Sequence, residues 1–169
     1  STGIALTEFA TAFDTLEPDI VMTIADRFEE IAIATAATMQ NIPLAHIEGG
    51  EVSGSVDESI RHSITKMSHL HFPSTERAAE RVANLGEPKE NIFTVGTPSL
   101  DVIANLDLND IEQLNKKIND MGVGSDVDLH DEYLLVIQHP ITTEYEQNRR
   151  YIDETIEAID DLDLPTVWL

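Results

Sequence analysis

The sequence contains no cysteine, so disulfide bonds cannot contribute to its stability. A basic segment followed by an apolar one, the pattern of an export signal, is also missing, and a cytoplasmic location is therefore the default expectation. No apolar run approaches the roughly 20 residues that a membrane-spanning helix needs. The apolar fraction of 41% is nevertheless enough for a core, which indicates a soluble globular chain.

Positive charge is scarce. Ten Lys and Arg residues stand against 32 Asp and Glu residues, giving a formal net charge of −22. This balance argues against a nucleic-acid backbone or an anionic membrane as a partner, and an acidic ligand would need local positive groups. Because so acidic a surface stays hydrated in concentrated salt, we also hypothesise a salt-loving source.

Short apolar runs alternate with amphipathic stretches, a pattern typical of β-α-β units around a parallel sheet. The pattern predicts strands at residues 20–25, 43–47, 69–72, 91–96 and 133–138, with another beginning in 165–169. It predicts helices at 5–16, 28–40, 57–68, 76–86 and 141–162, and an interrupted helical stretch within 97–120. The fold class expected is therefore α/β with Rossmann-like parallel sheets.

Two domains are predicted. Residues 1–105 would form the C-terminal part of a first Rossmann-like domain, 106–132 the interdomain passage, and 133–169 the start of a second Rossmann-like domain. A lone β-α-β unit cannot cover both faces of its sheet, so we expect the second domain to be incomplete. The opening helix likewise has no preceding strand, and we expect the chain to be an internal piece of a longer protein.

Ligands of open parallel sheets bind beyond the carboxyl ends of the strands. Polar and ionisable residues follow or end four predicted strands here: Asp26-Arg27, Glu48 to Glu51, His69 with His71, and His139-Pro140. This placement makes them the first candidates for a functional site.

Each carboxylate can be interpreted as having a purely structural role or a functional one. Asp26 could be a helix N-cap, a role worth around 1 kcal/mol. Glu48 is harder to explain, since Glu is a poor cap and the following Gly49-Gly50 pair would let backbone approach a ligand. Asp57 and Arg61, spaced i, i+4, could form a surface ion pair worth a few tenths of a kcal/mol, or Arg61 could hold an active-site carboxylate.

The histidines raise the possibility of a metal site. His46 and Glu48, like His69 and His71, alternate along predicted strands and so share a face. A zinc site needs three or four converging ligands, and no spaced signature such as HExxH is present. We therefore predict no metal and interpret His46 as a residue that orients its neighbours. Dinucleotide, P-loop and serine-hydrolase motifs are missing as well.

Four segments, ADRFE, IPLAHIEGGEVSGSVDESIRHSITKMSHLHF, TPSLD and QHPITTE, resemble the UDP-N-acetylglucosamine 2-epimerase family. The match runs from about Val21 to Glu144 and is similar to the hydrolysing branch, which makes N-acetylmannosamine and UDP for sialic-acid-type sugars. The non-hydrolysing branch instead typically carries an HVEAGLR-like stretch followed by a PEE-x-NR pattern. The resemblance implies a glycosyltransferase-B-like architecture, with the sugar nucleotide between two Rossmann-like domains.

The family's functional residues map onto this sequence through those motifs. Its three active-site carboxylates match Asp26, Glu48 and Asp57. The resemblance assigns binding of the substrate and its UDP group to Arg27, Glu51, Arg61, His62 and His139. It implies a UDP-sugar substrate, no cofactor, and a homo-oligomer when full length.

Two departures from the family pattern matter. Ala25 stands where family members often have glycine before Asp-Arg. The family's opening strand with its phosphate loop and its later UDP-binding segments are not in the sequence, so we expect this fragment alone to be inactive. Alternatives to the hydrolysing N-acetylmannosamine-forming enzyme are a non-hydrolysing epimerase giving UDP-N-acetylmannosamine, a hydrolysing epimerase for a UDP-diacetamido-trideoxyhexose, and a non-catalytic nucleotide-sugar-binding module.

Overall fold

A computed structural model of the chain describes residues 1–54, 56–107 and 109–169, except for the side chains of residues 142 and 143. The chain divides into two compact units, Ser1–Asn105 and Leu106–Leu169. No helix in the described part of the chain is long and apolar enough to cross a membrane.

The first unit contains a parallel three-stranded sheet in the order β1-β2-β3. Its strands are β1 (Val21–Ile24), β2 (Leu44–Ile47) and β3 (Leu70–Phe72). The register pairs Val21 with Leu44 and Ala45 with Leu70. The parallel α/β fold predicted from the alternating sequence pattern is confirmed.

In the described residues of the first unit, the sheet is accompanied by a 3-10 turn (Lys89–Asn91) and five α-helices: α1 (Thr2–Leu16), α2 (Phe28–Met39), α3 (Val56–Met67), α4 (Glu76–Asn84) and α5 (Pro98–Ala104). The core joins α2, α3 and the first two strands through Val21, Ala34, Ala37, Leu44 and Ile64. Small alanine side chains on α2 are fully buried, which lets the helix pack closely against its neighbours.

The fourth strand predicted at 91–96 is wrong. Only Ile92 forms an isolated parallel bridge, with His71, although Phe93 N donates to His71 O over 2.8 Å and Val95 N to Pro73 O over 3.3 Å. A regular parallel ladder would next need an N–H of residue 73 to donate to Phe93 O. Pro73 has no N–H, so the ladder cannot continue past His71.

The caps predicted for α4 are confirmed, whereas the N-cap position of α2 is Arg27 and not Asp26. Thr75 Oγ1 accepts a hydrogen bond from Ala78 N over 3.1 Å at the start of α4. Gly86, after the last turn of α4, has a φ of 96°, a left-handed conformation that suits glycine. These local signals mark both ends of α4, while its buried Ala78 and Val82 pack against the rest of the unit.

The second unit contains α6 (Ile111–Met121), β4 (Leu134–Val136), a 3-10 segment (Thr142–Gln147), α7 (Asn148–Leu162) and β5 (Thr166–Trp168). Strands β4 and β5 are parallel, with Leu134 paired with Thr166. Asp110, from the LDLND segment, caps α6 by accepting from Gln113 N over 3.0 Å, as the sequence predicts. The helix predicted over 141–162 takes the α form only from Asn148.

Candidate active site

Strands β1 and β2 are each followed directly by a residue with left-handed backbone. Ala25 has a φ of 58° and Glu48 a φ of 59°. Each still takes part in the sheet's hydrogen bonding, since Ala25 N donates to Ile47 O over 2.9 Å and Glu48 N to Phe72 O over 3.0 Å. The strands therefore end abruptly, and the carboxylates of Asp26 and Glu48 both belong to the sheet's carboxyl edge.

Asp26 is bound by Arg61. The guanidinium of Arg61, on α3, makes an ion pair with the Asp26 carboxylate, and its Nη1 donates to Glu51 O over 2.7 Å. The side chains of Arg61 and Asp26 are only 10% and 19% exposed, and burial lowers the pKa of Arg61. Arg61 thus connects α3 to the turn after β1 and to the loop after β2, a different role from that of a surface ion pair.

Glu48 is held by a hydroxyl from a distant segment. Its Oε1 accepts a hydrogen bond from Thr97 Oγ1, at the residue that precedes α5. Thr97 Oγ1 also lies 3.1 Å from Ser99 Oγ. Sequence reasoning did not single out Thr97 as a site residue, although the TPSLD segment that contains it supports the family resemblance.

The two glycines after Glu48 pack against protein groups. A methyl group on Gly50, whose φ is 83°, would lie 2.3 Å from Ala78 O of α4. A methyl group on Gly49 would lie 3.0 Å from both His46 Nδ1 and Thr65 Oγ1. The sequence suggested that these glycines admit a ligand, but the close approach seen here is to α4 and to the His46 side chain.

His46 is completely buried, and both ring nitrogens have partners. Nε2 lies 2.9 Å from Ala25 O, and a carbonyl oxygen only accepts, so Nε2 carries the proton. Nδ1 lies 3.1 Å from Thr65 Oγ1 and accepts from that hydroxyl. Burial lowers the pKa of His46 to about 4, which keeps the ring neutral at pH 7.

Two residues form hydrogen bonds with the backbone of the loop between β2 and α3. Neither was predicted from the sequence. Glu58 Oε2 accepts from Ser53 N over 3.2 Å and from Gly54 N over 2.9 Å. Arg81 Nη1, from α4, donates to Gly50 O over 3.1 Å. The first feature resembles a capping box, in which a Glu in the first turn reaches back to preceding N–H groups, and its spacing could have been found in the sequence.

Three other candidates lie in the same unit, Asp57, Arg27 and His62. Asp57 is exposed in the first turn of α3, and the Arg27 side chain is 75% exposed and pairs with Glu29 at 3.3 Å. His62 Nε2 lies 3.8 Å from Glu58 Oε1.

Glu51, on the same loop, has a side-chain contact of its own. Its Oε1 accepts from Thr75 Oγ1 over 3.4 Å. Among the predicted site residues, Arg61 and Asp26 are joined side chain to side chain by a hydrogen bond.

His139 belongs to the second unit and follows β4 after Ile137 and Gln138. It is exposed and lines a cavity of about 400 Å³ together with Gln138, Pro140, Ile141, Asn148, Tyr151 and Ile152. Asn148 fixes the wall of this cavity, because its side-chain amide both accepts from Ile141 N over 3.0 Å and donates to Ile141 O over 3.2 Å. The cavity therefore lies between the carboxyl end of β4 and the first turns of α7.

His69 and His71, at the third strand, contact other protein groups. His69 Nδ1 accepts from Leu44 N over 3.2 Å, and His71 Nε2 lies 3.2 Å from Glu87 Oε2. Within the described ranges, no group of three or more His, Cys, Asp or Glu residues is arranged to hold a metal ion.

Comparison with known proteins identifies relatives over the whole chain. The sequence profile described as UDP-N-acetylglucosamine 2-epimerase matches residues 1–169. A Campylobacter jejuni protein described as GDP/UDP-N,N'-diacetylbacillosamine 2-epimerase (hydrolyzing) is 36% identical over 163 residues, which is 96% of this chain and 41% of the relative. A Neisseria meningitidis protein described as UDP-N-acetylglucosamine 2-epimerase is 35% identical over 158 residues, 94% of this chain and 40% of the relative.

Solved structures share the fold. The crystal structure of a UDP-GlcNAc 2-epimerase from Neisseria meningitidis bound to UDP-GlcNAc matches with a TM-score of 0.80 and 18% sequence identity. The match covers 99% of this chain and 46% of that chain. The present chain thus spans about two fifths of the length of its sequence relatives and under half of this structural neighbour.

Proposed function

The chain belongs to the UDP-N-acetylglucosamine 2-epimerase family, and on this premise we propose that the whole protein is a hydrolysing nucleotide-sugar 2-epimerase. The observation that carries the proposal is the pair of supported carboxylates after neighbouring parallel strands, Asp26 bound by Arg61 and Glu48 bound by Thr97. The stretch GGEVSGSVDESIRH favours the hydrolysing branch, and the Campylobacter jejuni relative is described as hydrolysing.

The first substrate we propose is UDP-N-acetylglucosamine, giving N-acetylmannosamine and UDP. A UDP-diacetamido-trideoxyhexose is the second candidate, because the Campylobacter jejuni relative is described as acting on diacetylbacillosamine nucleotides. Sequence identities of 36% and 35% to relatives with these two descriptions do not separate the candidates. Direct comparison of the two nucleotide sugars is therefore required.

The chemistry explains why carboxylates should gather at this edge. The C2 proton of the sugar is not adjacent to a carbonyl, so simple enolisation cannot occur. In the proposed route the C1–O bond to UDP breaks, and carboxylates stabilise the oxocarbenium-like charge that develops on the ring. A carboxylate base then takes the C2 proton, leaving a C1=C2 glycal. Water adds its oxygen to C1 while a proton is delivered to the opposite face of C2, giving the free epimeric sugar.

We assign these steps to Asp26, Glu48 and Asp57 as a group. Arg61 is committed to Asp26 and to the Glu51 carbonyl, which supports a role in holding the carboxylate rather than the leaving group. The departing diphosphate would then be stabilised by His139 and by the exposed Arg27.

The test is product analysis with the full-length protein in D2O, followed by proton NMR. Incubation with each UDP-sugar should release UDP and the free 2-epimer, with deuterium at C2. A UDP-linked epimer would instead identify a non-hydrolysing enzyme. UDP binding without release from either sugar would support the non-catalytic binding module, and absence of both binding and release would overturn the proposal.

A further inference from the structure

The geometry points to His46 as a positioning residue that fixes the turn carrying Asp26, with Thr65 holding the imidazole in place. The inference rests on the proposed function, because turnover is one of its readouts. His46 is fully buried and both ring nitrogens are occupied, so the ring acts through the backbone and not on a substrate.

The hydrogen bond from His46 acts at the peptide group that leads into Asp26. Nε2 donates to Ala25 O over 2.9 Å, while Ala25 N donates to Ile47 O over 2.9 Å. Both peptide groups of Ala25 are thereby fixed while its φ is 58°, a conformation that alanine disfavours. Without the imidazole, the peptide group between Ala25 and Asp26 could rotate. The Asp26 carboxylate would then no longer be held in one orientation.

The same ring also supports the loop that follows Glu48. Gly49 packs so closely that a methyl group there would lie 3.0 Å from His46 Nδ1. The Nε2 side of the imidazole therefore fixes the turn after β1, and the Nδ1 side packs against the turn after β2. A displaced ring would disturb the surroundings of both Asp26 and Glu48.

Thr65 fixes which way the imidazole faces. Its hydroxyl donates to Nδ1 over 3.1 Å, which pairs with an Nε2–H that donates to Ala25 O. Thr65 itself is fully buried on α3, one helical turn after Arg61. Helix α3 thus supports the Asp26 turn twice, at the carboxylate through Arg61 and at the preceding carbonyl through Thr65 and His46.

Kinetics of His46→Gln and His46→Leu in the full-length protein test the inference. Leu cannot donate to Ala25 O, so we expect kcat to fall by about 100-fold, the scale of a misplaced catalytic group, while KM changes by less than about threefold. Gln retains an amide N–H, so the kcat of His46→Gln should be at least about tenfold higher than that of His46→Leu. Rates are expressed per UDP-binding site, so that a lower folded fraction does not count as lost turnover.

Thr65→Val and Thr65→Ser provide a milder pair in case His46→Leu does not fold. Val removes the hydroxyl and should lower kcat by about tenfold, whereas Ser keeps it and should remain within about twofold of wild type. Thr38→Val is the matched control, because Thr38 Oγ1 donates within its own helix, to Ala34 O over 2.8 Å. That variant should retain wild-type kcat.

Nitrogen-15 NMR of the imidazole gives a readout that does not depend on activity. We expect a protonated Nε2 and an unprotonated Nδ1 in the folded protein at pH 7. A protonated Nδ1, or wild-type kcat in both His46→Leu and Thr65→Val, would overturn the inference. If wild-type protein turns over neither UDP-sugar, the proposed function fails instead, and the NMR result still shows whether the ring is held as described.

Discussion

Arg61 and Asp26 form an ion pair across 35 positions of sequence, joining the first half of α3 to the end of β1. The guanidinium also serves the carbonyl of Glu51, so it occupies acceptors from two separate loops. Both side chains are mostly withdrawn from solvent, and a carboxylate left there without its cation would be poorly solvated.

Replacing Arg61 with Met should therefore both destabilise and inactivate the protein. Removing one partner of a buried pair leaves an uncompensated charge, and we expect the free energy of unfolding to fall by about 3 kcal/mol. On the proposed function, turnover by the full-length protein should fall at least about 100-fold, because Asp26 loses its orientation. Urea unfolding and initial rates of UDP release measure the two effects.

Arg149→Met is the matched control for Arg61→Met. Arg149 pairs with Asp153 at 3.0 Å, but their side chains are 86% and 51% exposed, so removing this pair should have little effect on stability or turnover. Equal losses in the two variants would show that the Arg61 contact has no special role.

On the proposed function, Glu48→Gln should lower turnover of the full-length protein by at least about 100-fold, a typical scale for losing an acid-base group. The amide keeps the shape and can still accept from Thr97, so the fold should be retained. Glu90→Gln, at an exposed residue of the same unit, should leave turnover unchanged. Near-normal turnover in Glu48→Gln would remove this carboxylate from the mechanism.

Ala25→Gly should stabilise the protein by up to about 1 kcal/mol, because glycine accepts the left-handed conformation that alanine disfavours. The greater freedom of glycine in the unfolded chain offsets part of this gain. Ala79→Gly, inside helix α4 of the same unit, should instead lose about 1 kcal/mol. Urea unfolding of both variants measures the contrast, and the same sign in both would contradict the assigned backbone strain.

Stability should fall in mild acid because His46 is buried in its neutral form. Its pKa is about 4 in the folded protein, against a usual value near 6.5 when unfolded, so the unfolded state binds the proton more readily between these values. The stabilisation is complete above pH 6.5 and is lost as the pH falls toward 4. From pH 7 to pH 5 this residue alone should cost about 2 kcal/mol.

The measurement compares wild type with His46→Gln by urea unfolding at each pH. Burial also lowers the pKa of His71, which adds to the acid sensitivity of both proteins and cancels in their difference. The advantage of wild type over the variant should shrink as the pH falls. A difference that stays constant over this range would contradict a depressed pKa for His46.

Salt should stabilise the chain, because its net charge of −22 opposes compact structure at low ionic strength. We expect the thermal unfolding midpoint to rise as KCl increases from low to molar concentration, where charge repulsion is screened. Sucrose at matched osmolality stabilises without screening and serves as the control. A midpoint that does not change with KCl would contradict both the repulsion and the hypothesis of a salt-loving source.

Short-range sequence patterns predicted much of this structure. Contacts between segments that are distant in sequence were not predicted. The alternation of runs defined the parallel sheet, and Thr75 and Asp110 defined helix starts, because each signal lies within a few residues of its effect. The strand expected at 91–96 failed because of Pro73, whose missing N–H matters only once the two segments are adjacent.

The partners of the candidate carboxylates were less predictable than their positions. Strand ends placed Asp26 and Glu48 correctly at the sheet edge. The hydroxyl of Thr97, however, binds Glu48 although the two residues are 49 positions apart. No spacing rule within one sequence indicates which hydroxyl will bind this carboxylate. Arg61 was identified, but sequence alone did not say which carboxylate it binds.

Helix α3 limits which changes in chain length this site can tolerate. Arg61 and Thr65 lie four residues apart and so project from the same side of the helix. One extra residue between them would turn Thr65 by about 100° relative to Arg61, so the helix could satisfy the carboxylate or the imidazole but not both. We therefore expect insertions and deletions to be excluded from this turn of α3 in active members of the lineage, even where substitutions around it are accepted.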